Sequence, residues 1–109
     1  MSKLIKSLNI EFQKNSGLSG LWQTVYYEGI RGHHMLFDKR TIAEAEKNPN
    51  LESKDERLSA AVIQVLSQST YGGIRETLKN YDQNIKKDLF RLYKRALDQY
   101  QGLRRANLN

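Results

Sequence analysis

The sequence predicts an all-α domain: a small bundle of four to five helices with a long C-terminal helix over about residues 74–104. Three observations carry this reading. An apolar row of Ile74, Leu78, Tyr81, Ile85, Leu89, Leu92, Ala96, Tyr100 and Leu103 advances in steps of three or four, which keeps its members on one helix face. Two stretches have capping-box spacing, Thr41 with Glu44 and Ser53 with Glu56; in each, the hydroxyl serves one early N–H and the carboxylate another. Only Pro49 and seven glycines punctuate the 109 residues, which is sparse for a sheet rich in turns. The alternative is an α+β form with a small N-terminal hairpin. Its strands come from residues 8–12, where Leu8, Ile10 and Phe12 alternate, and 22–27, which include Thr24, Val25, Tyr26 and Tyr27.

The chain is read as a single helical domain over 1–109. Leu4, Ile5, Leu8 and Phe12 share a face, with Lys3, Lys6 and Lys14 suiting its exposed side, so a helix is expected over residues 2–14. Asn15, Ser16 and Gly17 break it. Leu18, Leu21, Trp22, Val25 and Tyr26 define a helix over 18–28, with Gly29 and Gly32 as its terminators. Residues 33–40, HHMLFDKR, form a connection that turns Met35, Leu36 and Phe37 inward. A short helix follows at 41–47 and stops at Asn48-Pro49-Asn50.

Ser53 opens the next helix, over 54–70, whose face is Leu58, Ala61, Val62, Val65 and Leu66. Gly72-Gly73 ends it and opens the long helix, so the two are expected to pack as a helical hairpin. The long row repeats every 11 residues, which gives a nearly straight path. If continuous, it runs about 45 Å. A short echo, Tyr27-Glu28-Gly29-Ile30-Arg31 against Tyr71-Gly72-Gly73-Ile74-Arg75, hints at a duplicated unit, but the flanks barely match.

Several function classes are disfavoured by what the chain contains. It has no cysteine, hence no disulfide, thiolate metal site or cysteine nucleophile. No apolar run approaches the roughly 20 residues of a membrane span. The charged N-terminus lacks the apolar core of a signal peptide. A cytoplasmic protein without a membrane partner is expected. His33 and His34 are adjacent and would point about 100° apart on a helix; two ligands fall short of a structural zinc site. They read as a solvent-facing loop pair. Gly72-Gly73 with Arg75 resembles a phosphate-holding helix start, but a turn explains the glycines more simply. No nucleophile elbow or phosphate-binding loop is present. No catalytic residue, metal or cofactor is expected, and the chain does not read as an enzyme.

Charge is the feature above this background. The net charge is +6, and residues 86–109 hold seven basic side chains against Asp88 and Asp98. On a helical projection Lys87, Arg91, Lys94, Arg95 and Arg105 form a stripe opposite the apolar row, with Lys86 and Arg104 to one side. The first functional expectation is therefore a non-enzymatic nucleic-acid-associated protein, in which these seven residues contact phosphates. Such contacts give salt-sensitive affinity without base choice. The alternative is a helical protein-interaction module: an adaptor, subunit or inhibitor of a nucleic-acid-handling complex, presenting its charge to an acidic protein surface. Phe90, Tyr93 and Leu97 widen the apolar arc to about half of the helix. Either several helices surround that stretch, or it is an interface, for which a homodimer seam is the expected form.

Overall fold

The computed structural model describes residues 20–108, with side chains described as far as Gly102 except for that of Asp55. Five helices make up the described part: α1 (Gly20–Ile30), α2 (Lys39–Lys47), α3 (Asp55–Leu66), α4 (Tyr71–Lys79) and α5 (Gln83–Leu108). No strand occurs among the described residues, and 22–27, the second strand of the α+β alternative, lies inside α1. The helix expected over 2–14 and the other strand lie outside the described residues.

The core forms around α5. Helices α1, α2 and α3 each pack against it, and α4 packs against α3. The six consecutive residues Asp88–Tyr93 are all buried. A helix buried on every side is one that its neighbours enclose. Phe90, Tyr93 and Leu97 are accordingly inside the chain, at 2%, 1% and 2% exposure. The sequence left two explanations for the wide apolar arc. Enclosure by several helices is the one found, and these three side chains offer no dimer seam.

Each helix has local causes. α1 buries Trp22, Val25, Tyr26 and Gly29, the i, i+3, i+4, i+7 face. Its end is a Schellman-type cap: Gly32 has φ +88°, its N–H donates to the Gly29 carbonyl, and that of His33 reaches Glu28. Gly29 does not terminate the helix as expected. It lies within α1, against the Tyr93 hydroxyl and Leu97 of α5, where a Cβ would collide.

The caps of α2 and α3 also differ from the expected boxes. Asp38, not Thr41, caps α2, its Oδ1 accepting the Thr41 N–H at 2.7 Å. The backbone N–H bond pulls the Asp38 carboxyl below its usual range. Thr41 is buried and its Oγ1 accepts from Gln83, which also donates to Glu44. α3 has Lys54 at its N-cap with no side-chain cap, and Ser53 Oγ has no partner among the described residues. The face of α3 is as read, with Leu58, Ala61, Val62 and Val65 buried.

The long row is divided between two helices. α4 ends at Asn80, and Asp82 accepts the Ile85 N–H at 3.0 Å to cap the start of α5. The Arg57 guanidinium donates to the same carboxylate. These bonds hold the Asp82 carboxyl below its usual range, the backbone bond first. The long C-terminal helix thus begins at Gln83 and not near residue 74. Its 26 residues span about 39 Å. Gly72-Gly73 is no boundary: Thr70 caps α4 through the Gly73 N–H, and both glycines sit in the first turn. The two halves of the sequence echo fall at opposite helix ends, Tyr27–Arg31 closing α1 and Tyr71–Arg75 opening α4, so no duplicated unit underlies it.

Candidate functional site

The basic face of α5 was the sequence's leading candidate, and its centre faces inward. Asp88 is fully buried. Its carboxylate accepts the backbone N–H groups of Glu52, at 3.0 and 3.1 Å, and of Ser53, at 2.6 Å. Arg91, 5% exposed, donates from Nη1 to Asp88 at 2.6 Å and from Nη2 to Glu52 at 3.1 Å. Lys87 Nζ reaches Glu52 at 3.2 Å. One turn further on, Arg95 donates to the Pro49 carbonyl at 3.0 Å. Together these contacts tie the α2–α3 connection, residues 48–54, down onto α5.

The physical reason lies in the connection itself. Its backbone N–H groups at Glu52 and Ser53 are held against the core and need acceptors. The i, i+3 spacing of Asp88 and Arg91 lets one buried carboxylate serve those N–H groups while the guanidinium compensates its charge. The Glu52 carboxyl is lowered by its bonds to Lys87, then Arg91. Arg91 is therefore not an exposed phosphate contact. Lys87, at 15% side-chain exposure, is largely covered as well.

The remaining predicted contacts are dispersed. Lys94 is exposed and pairs with Asp98 at 3.0 Å. With Arg95, Glu46, Phe90 and Ala45 these residues border a groove of about 230 Å³ with charges of both signs. Lys86 lies in another cleft, beside α4. The side chains of Arg104 and Arg105 lie outside those described. The structure thus brings Lys87, Arg91 and Arg95 together at one loop, sets Lys94 on the same groove as Arg91 and Arg95, and leaves Lys86 apart from them.

The histidines also separate. His33 is exposed beside Glu28, Nδ1 to Oε2 being 2.9 Å. His34 is half-buried, with Nδ1 2.8 Å from the Tyr93 hydroxyl and its ring edge-on to Phe90 and Tyr93. Burial, then the charge of Lys94, lowers its pKa, while Glu46 acts the other way. Burial raises the pKa of the Tyr93 phenol. Reading both histidines as solvent-facing holds for His33 only. The signal for His34 was the flanking Met35-Leu36-Phe37 run, which draws its own loop inward.

Among the described residues no cluster of three or more metal-ligating side chains occurs, and no helix is long and apolar enough to cross a membrane. Comparison with family models, with curated proteins and with solved structures returns no match for the chain. The class defined by the structure is an all-α helical protein built around a central helix.

Proposed function

We propose that the protein is a non-enzymatic helical interaction module whose partner is a protein surface carrying charges complementary to the mixed groove beside Lys94. The observation that carries this reading is the internal use of the basic face: Asp88, Glu52 and the Pro49 carbonyl engage Arg91, Lys87 and Arg95. A face whose cations are held by its own chain has fewer open donors for a run of phosphates. What is left near Lys94 is a groove edged by both signs of charge, which suits the patterned complementarity of protein interfaces. The role of adaptor, subunit or inhibitor of a nucleic-acid-handling complex fits such a surface.

One observation favours the second reading, direct association with nucleic acid. Residues 20–102 hold thirteen Lys and Arg against eleven Asp and Glu, so four of the six surplus charges lie outside them. Lys3, Lys6 and Lys14 against Glu11, and the pair Arg104-Arg105, supply these four. Basic segments at both ends would meet a polyanion without using the centre of α5.

The experiment is a titration of labelled duplex DNA, single-stranded DNA and RNA at about 50 and 150 mM salt, across which a protein with several phosphate contacts loses orders of magnitude of affinity. The interaction-module reading expects little binding at the higher salt. Retained binding there, weakened by Arg104→Gln with Arg105→Gln, replaces it with the nucleic-acid reading. Arg91→Glu is unsuitable for this purpose, because it places a second negative charge beside buried Asp88.

A further inference from the structure

A cleft of about 310 Å³ lies where the α1–α2 connection, α2, α4 and the start of α5 meet. It exists because the apolar row breaks between α4 and α5. Asn80, Tyr81 and Asp82 turn the chain, and Lys79 and Lys86 then border the same space from two helices.

Its apolar wall is made by Met35, Phe37 and Leu78, and its cations are Arg75, Lys79 and Lys86. Asp38 is the carboxylate on the rim, and one of its oxygens is committed to the Thr41 N–H. Lys86 is half-buried and makes no direct ion pair among the described residues, although its charge reaches Asp38 and helps to lower that carboxyl. Arg75 gives only Nε to a protein acceptor, the Met35 carbonyl at 3.3 Å, so its two terminal nitrogens have no acceptor among the described residues. Lys79 bonds exposed Glu76 at 3.1 Å. Thr41, 1% exposed, also lines the cleft. Its oxygen accepts from Gln83, and its hydroxyl also bonds the Asp38 carboxylate.

Open donors on Arg75 and Lys86 therefore border the same apolar wall. We infer that this cleft binds a small organic anion, a carboxylate or a phosphate monoester carrying one compact apolar group. The anion sits among the donors of Arg75, Lys79 and Lys86, where a guanidinium offers paired N–H groups to either head group. The apolar group lies against Met35, Phe37 and Leu78. The volume is near the lower end for small-molecule sites, about 300–1,000 Å³, which limits the ligand to about one ring. This inference is independent of the partner proposed above.

Calorimetric titration with four probes tests it: phenyl phosphate, benzoate, benzyl alcohol and inorganic phosphate. Saturable binding of phenyl phosphate or benzoate is expected, and which is tighter tells the head group. Benzyl alcohol and inorganic phosphate, each lacking half of the ligand, should bind about tenfold more weakly or not at all. Lys79→Gln with Lys86→Gln should weaken the better anion by about tenfold, whereas Lys94→Gln should leave it unchanged. Methyl resonances of Met35 and Leu78 in the wild-type protein should shift with the same saturation curve, a readout that does not depend on the variants folding. The inference is overturned if neither anion binds saturably, if the double variant binds as tightly as wild type, if inorganic phosphate matches phenyl phosphate, or if the two methyl groups do not respond.

Discussion

Two neighbouring stretches of α5 carry the same kinds of residue and have opposite fates. Asp88–Tyr93 is enclosed on all sides, while Lys94–Asp98 opens to solvent at both of its charged ends. Each contains an acid–base pair at helical spacing. Asp88 and Arg91 are 0% and 4% exposed at the side chain, against 48% and 61% for Lys94 and Asp98. The difference comes from what lies opposite. The first pair faces the Pro49–Ser53 backbone, whose N–H groups require an acceptor, and the second faces water. A charge run in sequence thus specifies a binding face only after the chain's own backbone has taken what it needs.

The largest expected effect comes from breaking the enclosed pair. Asp88→Ala removes the acceptor for two backbone N–H groups and leaves Arg91 as a buried cation with only Glu52 beside it. Loss of one partner of a buried pair costs about 3–5 kcal/mol. Urea unfolding measures it, and a loss below about 1 kcal/mol, the size of a surface pair, would erase the contrast between the stretches.

Next comes the packing of α1 on the enclosed stretch. Gly29→Ala sets a methyl group against the Tyr93 hydroxyl and both Cδ atoms of Leu97. Tyr93 is stacked on Tyr26 at 6.0 Å and bonded to His34, so its ring has little freedom to give way. Overpacking of this kind costs about 1–3 kcal/mol. A neutral result in thermal unfolding would mean that α1 moves away from α5 as a body and that the enclosure is looser on this side.

A smaller effect tests the same contact by pH. The folded-state pKa of His34 is depressed, by burial first and Lys94 second, with Glu46 opposing and Tyr93 as its hydrogen-bond partner. The unfolded chain therefore binds the proton more readily. The stability that neutral His34 contributes is fully present above the unfolded value near 6.5, and it is lost as pH falls through the folded value. Asp38, Glu52 and Asp82, all depressed, act below the carboxylate range and do not overlap. Measured in a His33→Gln background, unfolding midpoints should fall as pH is lowered from about 7. Adding His34→Gln, whose amide can still accept from Tyr93, should flatten that slope. An unchanged slope would place its origin elsewhere.

Much of the fold was legible from periodicity. The faces of α1, α3 and α5 are those the apolar spacings define, because burial on one side is what that spacing records. The break at residues 80–82 was hidden, since Ile74, Leu78, Tyr81 and Ile85 stay in step across it. Only Asp82, a capping residue inside the row, signalled it. The capping boxes failed for a related reason: Thr41 and Ser53 match the pattern, but Asp38 captured one helix start and Asp88 took the Ser53 N–H. Of the candidate site, the projection gave Lys94 its correct exposed side. It misplaced Arg91, because a projection treats the side opposite the apolar row as solvent. Here a loop from 35 to 46 residues away in sequence occupies it.

The smallest expected effect completes the contrast. Lys94→Gln removes one member of a solvent-exposed i, i+4 pair with Asp98. The pair is in the less favourable order, base before acid, and pairs of this kind contribute about 0.2–0.5 kcal/mol and are screened by salt. Lys94 also opposes protonation of His34, so its loss should raise the His34 pKa slightly and move the acid-side fall in stability to lower amplitude. The expected outcome is a change within about 0.5 kcal/mol at neutral pH, shrinking further in about 1 M salt, where the screening length is near 3 Å. Asp98→Asn should behave alike, and the double variant should differ little from either single one. A loss at Lys94 approaching that at Asp88 would mean that the C-terminal stretch is held by contacts as demanding as those of the central one. In that case the exposed groove beside Glu46 would be part of the folding core and a poor candidate for a partner.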